Sequence, residues 1–493
     1  MKRGKFNLSN YKLLSCNQGQ LIPIGLVEVL PGDSIQHATS LLVRTQPLVT
    51  PVMHPVHVRV HHWFVPYRLV WSDWENFITG GPDGNNASVF PTIVSPSTTG
   101  WAVGSLADYL GVPTGLDDLH VSALPFRAYA LIFNEWYRDQ DLVSPLTIDK
   151  TDGSDTTTNT TLQFAAWEKD YFTSARPWPQ KGDEVTLPLG ESAPVVGKNE
   201  DITMKTTAGA DVYNIVGETG ETEMFFNNPV VAGQDMRWVN PALETDLTGA
   251  TAASVNDLRL AMALQRYKEA RARYGSRYTE YLRYLGIRSS DARLQRPEYL
   301  GGGKQTIQFS EVLQTAPVTD NGVVGSLKGH GIAAARTNRY RRFFEEHGCI
   351  ISLLSVRPKT VYIEGLQRHW NRRTREDFWQ RELQHIGQQE ILRKEIYAQG
   401  VEPDDNLVWG YQDRYDEYRR TESTVAGEFR TTLNSWHMAR DFSSAPTLNG
   451  SFVTSDPTNR IYAATNAQQL YIMAYHSMQA RRLLAQNGTS YIY

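Results

Sequence analysis

Cysteine is nearly absent: Cys16 and Cys349 are the only two in 493 residues. Two sulfurs exclude a secreted disulfide framework and cannot build a four-thiolate metal site. Apolar runs are short as well. No stretch is long and apolar enough for a transmembrane helix, and the basic start MKRGKFNLSNYKLL lacks the apolar core of a secretory signal, so synthesis in a cytoplasm is expected. Excess charge is missing too. The 49 Lys and Arg against 53 Asp and Glu leave −4, which does not draw the chain as a whole to nucleic acid.

Familiar catalytic and cofactor signatures are also lacking. GGGK at 301–304 is not a phosphate-binding loop, because the spacing G-x-x-x-x-G-K-[ST] is absent and Gln305 stands where a hydroxyl is needed. No G-x-G-x-x-G follows a strand, and neither G-x-S-x-G nor H-E-x-x-H occurs. His37, His54, His57, His61 and His62 have no carboxylate or thiolate spaced to complete a tetrahedron, so they read as surface or interface histidines. No cofactor is expected. Acidic residues are plentiful enough for some pair to lie close in space, but nothing positively supports a glycosidase.

What the chain does have is tyrosine and local charge contrast. Its 24 Tyr suit surfaces that become buried against a partner. Residues 1–27 carry Lys2, Arg3, Lys5 and Lys12 and no acid. Residues 181–255 carry twelve acids against four bases, whereas 256–300 carry ten bases against five acids. In GYQDRYDEYRR (410–420), Tyr411, Tyr415 and Tyr418 alternate with Asp413, Arg414, Asp416, Arg419 and Arg420. Rings with guanidinium forks fit a subunit seam, while the arginines of 266–283, with Tyr274 and Tyr278, fit a solvated helix face, a seam or nucleic acid.

Periodicity gives the elements. Val56, Val58 and Val60 alternate with His57, Arg59 and His61, predicting a strand. Ala128, Leu131, Ile132 and Glu135 predict a helix within 125–140, and 254–286 predicts a longer one interrupted at Gly275. CIISLLSV from 349 reads as a buried strand. Residues 1–20 read as an extended basic arm, and the polar, Thr- and Gly-rich 145–255 as insertion rather than core. Many short strands with long decorated connections point to a β-sandwich or barrel.

Several blocks together carry a resemblance: LPFRAYALIFNEWYRDQDL (124–142), DYFTSARPWPQKG (170–182), DARLQRPEYLGGG (291–303), HGCIISLLSVRPKTVYIEGLQRHWNRRTREDF (347–378), KEIYAQG (394–400), GYQDRYDEYRR and LNSWHMARDF (433–442). In this order they resemble the major capsid proteins of the Microviridae, of the gokushovirus kind. His369 and Asn371 depart from the commoner form of their block.

The resemblance implies a mainly β fold, an eight-stranded antiparallel viral jelly roll with long loop and helical insertions. The basic arm 1–20 then precedes a single domain, 21–493, with a variable, surface-projecting insertion at about 183–253. It also implies a virion protein, not an enzyme, with sixty copies closing a T=1 shell around circular single-stranded DNA, assembled in a bacterial cytoplasm. The implied partners are a small basic DNA-associated protein, a pilot protein, an assembly scaffold and a bacterial receptor. Lys2, Arg3, Lys5 and Lys12 are then expected to face DNA, and Tyr274, Tyr278, Tyr411, Arg414, Tyr415, Tyr418 and Arg419 to line subunit interfaces. The rivals are a receptor- or carbohydrate-binding β protein that builds no shell and, more distantly, an enzyme.

Overall fold

The computed structural model describes residues 3–186, 195–198, 203–206, 212–217, 224–226, 236–240, 243–246, 255–274, 278–286, 295–315 and 324–485. Eleven strands build the main body: β1 (Gly4–Asn7), β2 (Asn10–Cys16), β3 (Ile22–Val29), β4 (Ser34–Thr45), β5 (Val56–Pro66), β6 (Glu298–Thr306), β7 (Gln308–Leu313), β8 (Leu327–Arg336), β9 (Tyr340–Phe343), β10 (Gly348–Pro358) and β11 (Leu470–Arg482). All their pairings are antiparallel. One sheet of seven strands runs β1–β11–β4–β8–β7, with β2 also on β11 and β9 also on β4; the second runs β6–β5–β10–β3. The protein is mainly β with helical insertions, as the sequence suggests.

The inner faces of the two sheets meet in one apolar core. Leu41 and Val43 of β4, Ala333 of β8 and Ile472 and Ala474 of β11 pack with Ile22, Ile24, Val56, Val58, Val60, Leu354 and Val356 of the second sheet. The outer faces differ. On the second sheet, after the short α1 (Trp74–Thr79) that follows β5, α2 (Leu106–Leu110) and α3 (Leu124–Ile132) cover Trp63, Val65, Cys349, Ile351 and Leu353. That is why β10 is buried at every position except the half-buried Arg357 and reads as a continuous apolar run. Among the described residues, the seven-stranded sheet has no such cover. β11, LYIMAYHSMQARR, alternates buried with exposed or half-buried along nearly its whole length.

Two expectations are corrected here. Residues 4–16 are not an unpaired arm: Gly4–Asn7 pairs with Arg482–Gln479, and Asn10–Cys16 pairs with His476–Leu470. A strand along the edge of β11 satisfies its backbone and buries Cys16 and part of Leu14, which the arm's polar composition did not reveal. The main body accordingly begins before residue 21. The histidines do not lie at the surface as a group either. His37 is 1% exposed, His62 0%, His54 7% and His476 2%.

His37, His62 and His476 lie between the sheets: His37 and His476 form a hydrogen-bonded chain, and the His62 ring packs on His37 with centroids 4.6 Å apart. The Tyr340 hydroxyl is 3.0 Å from His37 Nδ1, His37 Nε2 is 3.1 Å from His476 Nδ1, and His476 Nε2 donates to the Ile24 carbonyl at 2.9 Å. His62 Nδ1 lies 2.7 Å from the Ser352 hydroxyl. With the His476 Nε2 proton on the carbonyl, one proton per ring satisfies the whole chain.

GGGK sits in β6, where its glycines serve backbone approach. The pairing with β5 shifts register between Tyr299 and Gly301, and a Cβ on Gly302 would stand 2.2 Å from the Val60 carbonyl oxygen. Gly302→Ala is therefore expected to destabilise the subunit by about 1–3 kcal/mol, read by thermal unfolding. An unchanged midpoint would mean that the strands part freely there.

Gln180–Arg273 forms a second compact unit. It contains short antiparallel strands, among them Thr203–Thr206 and Val212–Gly217, and most of α4 (Val255–Tyr274). α5 (Tyr278–Tyr284) follows, so the helical reading of 254–286 corresponds to two helices, with 275–277 outside the described residues. The predicted helix at 125–140 is α3 continued by a π turn over Phe133–Tyr137.

Candidate functional site

The segment 410–420 is largely committed to its own subunit. Tyr411 sits in the middle of a short pairing of Val408–Asp413 with Gln388–Leu392, opposite Glu390, and its backbone exchanges hydrogen bonds with Arg176 at 2.7 and 2.9 Å. Tyr415 is only 4% exposed, held at φ +63°, with its hydroxyl 3.1 and 3.0 Å from the Glu376 and Phe378 carbonyls. The expectation that Tyr415 offers contact area to a neighbour is therefore corrected: its ring is consumed in closing a turn. Arg414 stacks on that ring at 5.1 Å. Asp416 is buried, which pushes its carboxyl up, while Arg420 at 2.9 Å and Arg419 at 3.4 Å oppose the shift.

Tyr418 and Arg419 do reach the surface. Tyr418 is 50% exposed and carries the Arg372 guanidinium 4.4 Å above its ring. Arg372 also lies over the Phe378 ring, and the Trp379 backbone N–H donates to the Tyr418 hydroxyl at 3.3 Å; Phe378 and Trp379, with Trp370 and Ile386 on the same short turns after β10, are each more than half exposed. The exposed aromatic surface thus belongs mostly to 370–386, with Tyr418 at its edge. The rings and charges of RHWNRRTREDFW were legible, but which of them point outward was not.

Beneath this surface an ionic frame holds the turns. Arg368 pairs with the buried Glu395 at 2.8 Å, and the Tyr171 hydroxyl donates to the same carboxylate at 3.2 Å. Arg440 lies 4.1–5.7 Å from the rings of Phe452, Phe442, Trp167 and Tyr362. These contacts rigidify the surface and supply no reacting group. Among the described residues, no three His, Cys, Asp or Glu side chains are grouped to hold a metal.

Tyr415 and Tyr418 should separate in effect. Tyr415→Ala is expected to cost the unassembled subunit about 3–5 kcal/mol, as for other buried aromatics, and Tyr418→Ala about 1 kcal/mol. Denaturant unfolding of both variants checks this, and the reverse order would mean that Tyr415 is not a core residue.

The N-terminal cations separate as well. Lys5 is exposed on β1, and Arg3 stacks over the Phe343 ring at 4.9 Å. Lys12 faces inward and donates to the carbonyls of Pro23 and Tyr109, and burial lowers its ammonium to about 8. It is not a cation on a free arm. Lys2 lies outside the described residues, as do the side chains of Tyr274 and Tyr278. Sequence reasoning missed the outward-facing residues of β2, β4, β8 and β11, although the alternation in LYIMAYHSM could have found them.

Two packed antiparallel sheets with exposed ring-and-arginine surfaces are the features of an interface-forming protein. The family described as "Capsid protein (F protein)" matches residues 1–492. Similar proteins include the capsid protein VP1 of Bdellovibrio phage phiMH2K, 38% identical over 94% of this chain and 90% of that protein. Those of Chlamydia phage 1 (32% identical; 94% and 91% covered) and Spiroplasma virus 4 (34%; 95% and 92%) are also similar. The chain belongs to this family of capsid proteins, in its gokushovirus-like branch; it is a structural component of the virion and not an enzyme.

Proposed function

We propose that the chain folds as an eight-stranded jelly roll, sixty copies of which close a T=1 shell around circular single-stranded DNA. Strand order carries this reading. Numbering β2, β3, β4, β5, β6, β8, β10 and β11 from one to eight, the sheets run 1-8-3-6 and 2-7-4-5. The pairs 1·8, 2·7, 3·6 and 4·5 are those of one long hairpin rolled into two sheets, the arrangement of a double Greek key. β1, β7 and β9 are additions at its edges. Kinship with three phage capsid proteins across nearly the whole chain supports the shell.

Purified product is expected to sediment as particles of about 3.3 MDa, sixty times the 55.7 kDa chain, with icosahedral symmetry in electron micrographs. A discrete small oligomer under all conditions would argue for the receptor-binding rival. Residues 183–253 would project outward and contribute to host attachment, because an acidic, polar segment tolerates solvent and is repelled by packaged phosphate. Protease added to intact particles should cut there first. If cleavage needs opened shells, the insertion lies inside. The small basic protein, pilot protein and scaffold implied by the resemblance would join the shell during assembly.

A further inference from the structure

The uncovered face of the seven-stranded sheet has a composition unlike that of the chain as a whole. Opposed residues of an antiparallel ladder share a face, so the pairings identify its members. Rows across the sheet run Lys5–Arg481–Ser34–Phe343, then Asn7–Gln479–Gln36–Arg341, then Tyr11–Tyr475–Ser40–Arg336. They continue with Leu13–Met473–Leu42–Ala334 and Ser15–Tyr471–Arg44–Ile332. His330 and Lys328 of β8 complete the face beside β7.

Six exposed cations stand on this face, Lys5, Arg44, Lys328, Arg336, Arg341 and Arg481, and no outward strand position carries a carboxylate. The whole chain, by contrast, has more acids than bases. Between the cations lie exposed rings and apolar chains. Tyr11 is 68% exposed, Leu13 77%, Tyr471 46% and Met473 39%, and Tyr11 stacks on Tyr475 with centroids 4.5 Å apart. The other sheet covers its outer face with α2 and α3; this one leaves rings and unpaired cations open.

We propose that this sheet face is the genome-contact surface, binding single-stranded DNA through phosphates at its cations and through bases stacked on Tyr471, Tyr475 and Tyr11. The proposal rests on the shell reading and names which surface of the subunit meets the packaged strand. Charge complementarity selects the occupant. A polyanion needs cations without competing carboxylates, whereas a second copy of this chain would bring carboxylates to pair with them, and the face would then need none of its own excluded. Tyr471, Met473 and Tyr475 stand about 7 Å apart in steps along β11, a row on which successive unpaired bases can lie. Stacking and phosphate contacts carry no base code, as a surface repeated over a whole genome requires. Of the N-terminal cations, Lys5 belongs to this surface, and Lys12 is turned away from it.

Ultraviolet cross-linking of intact, DNA-filled particles, read by peptide mass spectrometry, tests the wild-type protein directly. Nucleotide adducts are expected on β11 and β2, at Tyr471, Tyr475 or Tyr11. In parallel, full-length subunits dissociated from particles are titrated with oligothymidylate over a salt series. Six phosphate contacts give a slope of log affinity against log salt near −4, and Arg44→Gln/Lys328→Gln/Arg336→Gln should reduce it to about −2. Adducts confined to other segments, or a slope unchanged by the triple variant, would overturn the proposal. So would protein–protein cross-links joining this face to a second copy. If the wild type builds no particles at all, the shell reading fails, and the salt titration on subunits still decides whether the face binds single strands.

Discussion

Arg127→Ala should all but abolish the recovery of folded subunit. Arg127 lies on α3, in the block LPFRAYALIF, and both it and Asp155 have side chains with no exposure. Its Nε donates to Asp155 at 2.8 Å, and its Nη1 donates to the Val70 and Thr151 carbonyls at 3.2 and 3.0 Å. Asp155 in turn accepts from Thr158 N and Oγ1. Removing the guanidinium leaves a buried carboxylate without its counter-charge and two carbonyls without their donor. The expected cost is about 3–5 kcal/mol, a large share of the stability of an ordinary domain. Chemical denaturation or soluble yield measures it. Arg127→Met/Asp155→Leu, which removes both charges at similar volume, should recover a good part of the loss. Equal damage from the double variant would mean that the pair's hydrogen bonds, and not an unbalanced charge, hold α3 over the sheet.

The histidine chain between the sheets should make the subunit sensitive to acid. Burial lowers His37 to about 3, with His476 adding to the effect, and burial also holds His62 and His476 below the ordinary imidazole value. The folded protein keeps these rings neutral while the unfolded chain protonates them near 6.5. Their contribution is therefore complete above that pH and is lost as pH falls toward 3. At pH 5, His37 alone costs about 2 kcal/mol. Glu364 and Glu422 act in the opposite direction. Burial, with Asp441 beside the first and Asp170 beside the second, raises each to about 7, so what they contribute is present at acid pH and lost as pH rises through 7. The histidine share is isolated by comparing melting curves of the wild type and His37→Gln/His62→Gln between pH 7.5 and 5. The wild type should lose clearly more, because the carboxyls are common to both. Parallel losses would show that the rings stay satisfied when charged.

Elements whose surroundings were uniform were the easiest to read. CIISLLSV is apolar apart from the buried Ser352 and Ser355 because β10 is buried on both faces, and VHVRV alternates because β5 is lined differently on its two sides. Polar composition misled at the N-terminal strands of the main sheet. NYKLLSC reads as a loose arm, yet a strand needs only a ladder partner, and that partner lies more than 450 residues away in β11. Histidine misled in another way. In sequence His37, His62 and His476 are merely polar; strand pairing brings the Tyr340 hydroxyl to His37, and the meeting of two sheets brings the Ile24 carbonyl to His476, which makes burial tolerable.

The sequence by itself determined that this is a β-rich protein resembling phage capsid proteins, because those properties reside in periodicity and in blocks of residues that stay together along the chain. Which surface does what was decided only by tertiary structure. Tyr415 and Tyr418 sit three residues apart in one ring-and-charge run, yet one closes a buried turn at φ +63° and the other faces outward under Arg372. Lys5 and Lys12 belong to one basic stretch, yet strand alternation turns one out and the other in, against two carbonyls. The acid-free face gathers residues from β1, β2, β4, β8, β9 and β11, and no local pattern contains it. Long-range pairing creates it, since a ladder places side by side residues that the chain keeps far apart.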